Sequence, residues 1–163
     1  MDILKELQKE LKSEYETTKK FLDHYPDNKN DWKPHAKSMS LKTLAVHVVE
    51  IFGWPQTIMN TAYLDFKETP YSQPPIKTKA ELQAKLEDDY SKGAETLKNL
   101  KLEALDGTWD IRMGDQIFMK WSKYGAIRHA LDQITHHRAQ LGVYYRLNDI
   151  FVPGSYGPSA DEQ

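Results

Sequence analysis

Cysteine is absent from all 163 residues, which excludes a disulfide framework, a thiol nucleophile and any thiolate-bound metal. Also missing is an apolar run near the roughly 20 residues that span a bilayer. A hydrophobic fraction of 39% and a mean hydropathy of -0.71 describe a water-soluble globular chain instead, with no membrane partner expected. Positive charge is not in surplus. Twenty-two Lys and Arg stand against 24 Asp and Glu, for a net charge of -2 and a pI near 6.3, so no basic surface attracts phosphate backbones and nucleic acid is not an expected partner. No Gly-x-Ser-x-Gly elbow and no glycine-rich phosphate loop occur, which removes nucleophilic serine chemistry and nucleotide binding. The opening Met1-Asp2-Ile3-Leu4-Lys5-Glu6 alternates charge with apolar residues where a secretory signal is continuously apolar. A cytoplasmic setting is the resulting expectation, and the length predicts one domain over residues 1–163.

What is present is helical periodicity. Ile3, Leu4, Leu7, Leu11, Tyr15, Thr18 and Leu22 follow the three-and-four spacing of one buried face, predicting a first helix that ends before Pro26. Ser40 is a natural N-cap for a second, with Leu41, Leu44, Val48, Ile51 and Phe52 behind it, running to about Leu64. Within that helix Gly53-Trp54-Pro55 predicts a kink, because Pro55 removes a backbone bond and crowds the carbonyl of Ile51. Pro70, Pro74 and Pro75 make residues 65–77 a crossover. Thr78-Lys79-Ala80-Glu81 matches the capping box and opens a third helix to about Leu100. Alternation around Gly114-Asp115, from Trp109 to Met119, predicts a short hairpin, and a last helix runs from about Ser122 to Asn148. The fold class these elements predict is all-α, a four-helix bundle with a long crossover between its second and third helices.

Two places could carry chemistry. His47 falls on the stripe Leu44, His47, Ile51, Trp54, Ile58, where an unpartnered imidazole is costly. It is either a core histidine bonded to a carbonyl or a Tyr, or a metal ligand. The run from Asp132 to Gln140 holds adjacent His136 and His137, which point about 100° apart and so do not share one small site easily. Four-residue spacing pairs His137 with Gln133 and His136 with Asp132. Ala126, Ala130, Gln133, His137 and Tyr144 form a face with room for something bound between helices; a plain polar face is the alternative. His47-x-x-Glu50 reverses the order used in di-iron bundles and has no second copy, so Glu50 reads as a solvated or supporting carboxylate.

Four segments resemble a known family: Trp32-Lys33-Pro34-His35-Ala36-Lys37-Ser38-Met39-Ser40, the stretch from Leu44 to Trp54, His136-His137-Arg138-Ala139-Gln140-Leu141, and the stretch from Tyr156 to Glu162. Their order and spacing are similar to those of the DinB-like (YfiT-like) family of bacterial four-helix-bundle metalloenzymes. The resemblance implies an up-down-down-up bundle, commonly a homodimer, holding a divalent metal, usually nickel or zinc. Its ligands are one histidine on the second helix and two, four residues apart, on the last. These carry over onto His47 and His137, whereas Gln133 stands at the third position. An amide oxygen is a weaker donor to zinc or nickel than an imidazole. Three arrangements are open: Gln133 as a weak ligand, Asp132 or His136 rotated in, or a vacant site. Two His and one neutral oxygen would leave open positions for water or a small-molecule substrate.

By analogy with related bundles, the implied activity is metal-assisted transfer of a low-molecular-weight thiol, or hydrolysis. The competing reading is a metal-free bundle with a degenerate site that binds a small ligand or serves as a dimerising module. No catalytic residue is assigned. Trp54 and Tyr144 share stripes with the two histidines and are candidates to wall a substrate pocket. Arg138 is a candidate anchor for an anionic substrate, or else a partner of Asp132 or Glu50. The tail from Tyr156 is placed over the pocket mouth.

Overall fold

The structure, a computed structural model, describes residues 2–163. Among the described residues are five α-helices: α1 (Ile3–Asp23), α2 (Leu41–Glu50), α3 (Trp54–Asn60), α4 (Lys79–Asn99) and α5 (Lys123–Arg146). Three strands accompany them: β1 (Tyr63–Asp65), β2 (Thr108–Met113) and β3 (Gln116–Ser122).

The helix starts follow from local chemistry. Asp2, Ser40, Thr78 and Ser122 each accept a backbone N–H at the head of α1, α2, α4 and α5, and Thr78 with Glu81 closes a full capping box. The proline-containing helix does not merely kink. A single 3-10 turn, Ile51–Gly53, separates α2 from α3, and Pro55 sits in the first turn of α3, where its missing N–H costs nothing.

Contacts at both ends give the helix directions. Gln8 Nε2 donates to the Leu97 carbonyl (3.0 Å) and Gln83 Nε2 to Asp23 Oδ1 (2.9 Å), so α1 and α4 are antiparallel. Arg128 pairs with Glu10, and Tyr145 OH donates to the Phe21 carbonyl (2.9 Å), so α1 and α5 are parallel. Tyr144 OH reaches the Met39 carbonyl (3.2 Å) and Lys123 Nζ the Met59 carbonyl (3.0 Å), which runs α2 and α3 antiparallel to α5. Leu11, Leu22, Leu44, Phe52, Leu82, Ile127, Ile134 and Leu141 fill the space between them. Among the described residues no helix is long and apolar enough to cross a membrane.

The expectation of an all-α fold is corrected. The hairpin β2–β3 is joined by β1, which pairs parallel to β2 with Tyr63 opposite Asp110, giving a three-stranded mixed sheet in the order β1-β2-β3 and an α+β molecule. The predicted second helix accordingly stops at Asn60 rather than Leu64. Three residues are too few to show an alternating pattern, and their partner is distant in sequence, so only the packed chain reveals the strand. Asp65 secures it: its Oδ1 accepts N–H bonds from Lys67 (2.8 Å) and from Gly114 (2.9 Å) at the hairpin turn. Gly114 has φ +59°, the left-handed conformation that a two-residue hairpin loop demands.

Candidate metal centre and adjoining cavity

Antiparallel packing of α2 on α5 brings His47 and His137 together, with ring centroids 4.5 Å apart and ring planes at 75°. Both rings are half-buried. No hydrogen bond from protein to the His47 ring is present among the described residues. Burial, with a smaller contribution from the neighbouring His137, pushes its pKa down to about 4. Burial also lowers that of His137. Both are therefore neutral near pH 7, the form that ligates a metal.

The neighbouring amides determine the tautomer of His137. Gln140 Nε2 lies 3.0 Å from His136 Nε2, so the Gln140 amide donates there and turns its Oε1 toward His137 Nδ1 at 2.9 Å. His137 Nδ1 must then carry the proton, leaving a lone pair on Nε2. That lone pair faces Gln133, whose Oε1 is 3.1 Å away at the four-residue spacing. Two electron-pair donors pointing at one another repel unless a cation lies between them or the Gln133 amide turns over. Two imidazoles and one amide oxygen thus fit a weakly held divalent ion with open positions. Among the described residues, no group of three or more His, Cys, Asp or Glu is placed to hold a metal. His136 is exposed and is engaged by Gln140, not Asp132, which pairs with Arg128 (3.2 Å).

A cavity of about 600 Å3 opens beside His47, between α2–α3, α4, the sheet and the crossover. Its apolar wall is built from Ile58, Leu64, Phe66, Trp109 and Ile111. Trp54 stands in it edge-on to His47, centroids 6.2 Å apart. The charged groups are few: Glu50, which accepts from Tyr71 OH (2.9 Å), the buried Asp89 paired with Lys85, and Lys92. Burial pushes the carboxyls of both Glu50 and Asp89 up. Sequence reasoning missed Tyr71, Lys85, Asp89 and Trp109. One signal was readable, since Asp89 occupies the buried stripe Leu82, Leu86, Asp89, Gly93, Leu97 of α4, where a carboxylate needs a reason. His129, one turn before Gln133 and stacked on Trp121 (4.7 Å), was also missed.

The other predicted residues are placed elsewhere. Tyr144 lies away from the cavity beside His47, its ring edge on Trp32 (5.3 Å), in a smaller pocket that His137 lines with it, together with Pro34 and Leu44. Arg138 faces α1, not the cavity. It is 1% exposed and pairs with Glu14 (2.5 Å), also donating to the Glu14 carbonyl and Thr18 Oγ1 (3.2 Å each). Neither Asp132 nor Glu50 is its partner, because the one-residue step from His137 turns Arg138 about 100° round the helix. The tail follows Arg138: Tyr156 OH accepts from it (3.0 Å) and donates to Glu14 Oε1 (3.0 Å). It packs over α1 and α5, not over the cavity mouth.

The shift at His47 has a consequence for stability. An unfolded imidazole titrates near 6.5, so on acidification the unfolded chain takes up this proton first. Stability is fully present above about pH 6.5 and is expected to decline toward about pH 4. Denaturation midpoints across that window should fall in the parent and fall less steeply in His47→Gln. Equal slopes would remove His47 as the cause.

Comparison with known proteins gives a family and solved structures that match nearly the whole chain. The DinB family matches residues 1–162. Among solved structures, a DinB-like protein from Bacillus subtilis is 17% identical, with 97% of this chain and 99% of that one covered, at a TM-score of 0.69. A protein assigned to the DinB family from Exiguobacterium sibiricum 255-15 is 18% identical, with 100% and 99% covered, at 0.68. A DinB-like protein from Bacillus cereus ATCC 10987 is 17% identical, with 92% and 95% covered, at 0.67. At these identities the shared property is the fold. No curated protein matches.

Proposed function

The chain belongs to the DinB family, and on that premise we propose that it is a metal-dependent enzyme acting on a small molecule. His47 and His137 would hold a divalent ion, zinc or nickel, with Gln133 as a weak oxygen ligand. The ion would supply Lewis acidity, lowering the pKa of a bound water or thiol. With no cysteine in the chain, a reacting sulfur would come from a low-molecular-weight thiol in solution. Thiol transfer and hydrolysis are the reaction classes this chemistry serves.

The chain's own contributions are positional. Gln140 holds His137 in the tautomer whose Nε2 faces Gln133. Trp54 and the apolar wall exclude water on the His47 side, where a substrate would lie. The observation that supports the reading is the convergence of two neutral imidazoles, 4.5 Å between centroids, from separate helices.

A metal-free ligand-binding protein is the second reading. It is favoured by the ease with which a turned Gln133 amide would donate to His137 Nε2 and close the network without an ion. Metal titration of untagged protein separates the two. Gln133→His is expected to bind zinc about 10–100-fold more tightly than the parent, the scale of changes around a metal's ligands, and His47→Ala should abolish binding. Only traces of metal in the parent, with no gain in Gln133→His, would leave the second reading.

A further inference from the structure

We infer that the cavity beside His47 binds a small organic ammonium compound, its apolar body against the aromatic wall and its cationic end held by Glu50. The inference deepens the proposed function and rests on its reading of this cavity as the ligand site, but not on the ion.

The argument begins with counter-charges. Four ionised side chains other than histidine line the cavity: Glu50, Lys85, Asp89 and Lys92. Lys85 is committed to Asp89, four residues on along α4. Lys92 is committed to Asp88 (2.5 Å), outside the cavity. Both lysines are thereby neutralised, and an anionic ligand entering here would meet two carboxylates and no free cation. Glu50 is different. It makes no salt bridge among the described residues, and its hydrogen-bond partner is the neutral phenol of Tyr71. Burial leaves this half-buried carboxyl under-solvated and raises its pKa, outweighing the influence of Lys85, which is near enough to favour its charge but is bonded to Asp89 rather than to Glu50. A ligand ammonium would supply the missing charge.

The walls suit the same ligand. Trp54, Trp109 and Tyr71 line the space with Glu50, and aromatic faces attract cations while burying an apolar body. About 600 Å3 accommodates a molecule of amino-acid or arylalkylamine size. Tyr71 lies on the exposed crossover and holds the position that an ammonium would take at Glu50, so it can yield without disturbing a helix.

The test uses the full chain, stripped of metal with EDTA, and two probes of opposite charge that share a phenethyl body, phenethylamine and 3-phenylpropionate, followed by calorimetry and by tryptophan fluorescence near neutral pH. The parent should bind the amine at least about tenfold more tightly than the acid, the scale of one charge-assisted contact. Glu50→Gln should erase that preference, whereas Tyr71→Phe should keep it, which guards against a Glu50 variant that fails to fold. Equal or reversed preference in the parent, no saturable binding of phenethylamine, benzylamine or tryptamine at millimolar concentration, or a preference indifferent to Glu50 would each overturn the inference. Zinc titration of the same preparations reads the metal site separately. Loss of zinc binding with the amine preference intact would sink the ion and leave the ammonium site standing.

Discussion

Glu14→Ala is expected to lower the unfolding free energy by about 3–5 kcal/mol, the cost of leaving one member of a buried ion pair alone. Arg138, 1% exposed, would keep Thr18 Oγ1, a backbone carbonyl and Tyr156, all neutral, and lose its countercharge. The intact pair is not thereby a large net stabiliser. Glu14→Leu with Arg138→Met, which removes both charges, should recover most of the loss, because desolvating two ions roughly cancels their attraction. The tail reports the same event. Tyr156 OH loses its charged acceptor in Glu14→Ala and keeps only Arg138 and Thr135 Oγ1 (3.0 Å), so limited proteolysis should cut the segment after Val152 faster than in the parent. A loss below about 1 kcal/mol by urea denaturation, the scale of an exposed pair, would mean that Arg138 reaches water.

Gly93→Ala is the second large effect. A Cβ at Gly93 would lie 2.2 Å from the Phe52 carbonyl oxygen, and that oxygen belongs to backbone, not to the movable end of a side chain. In an exposed helix the same substitution gains about 1 kcal/mol from helix propensity. Here the clash wins, because α4 must be displaced from the Ile51–Gly53 turn, and overpacking of that kind costs about 1–3 kcal/mol, occasionally more. We expect a net loss near the top of that range, set against a change within about 0.5 kcal/mol for Ser91→Ala on the exposed face. The displacement would also carry Lys85 and Asp89 away from Glu50, so ligand binding in the cavity should weaken alongside stability. A stabilised Gly93→Ala would show that the close approach is not maintained in solution.

Much of the local architecture was legible. Capping residues gave helix starts at Leu41 and Lys79, and the Gly114-Asp115 turn lies between β2 and β3 where the alternation placed it. The four-residue spacing put Gln133 against His137, a contact decided within one helix. What failed has a common cause. The partner expected for Arg138, either Asp132 or Glu50, is a near neighbour in sequence or a carboxylate of α2, whereas the partner found, Glu14, comes from α1 across the core. The isolation of Glu50 was equally hidden, because it depends on Lys85 and Lys92 of α4 being occupied by other carboxylates.

By itself the sequence determined where helices begin, where the second one breaks, where the hairpin turns, and that no thiol chemistry can come from the chain. Hydrogen bonding and steric clash between residues a few positions apart suffice for that. The tertiary structure alone decided that β1 would complete a sheet, that His47 would face His137 at 4.5 Å, and that Tyr71 would cover Glu50. Each depends on the relative rotation of packed elements, and a helix that turns about 100° per residue converts a one-residue change of facing into a different partner.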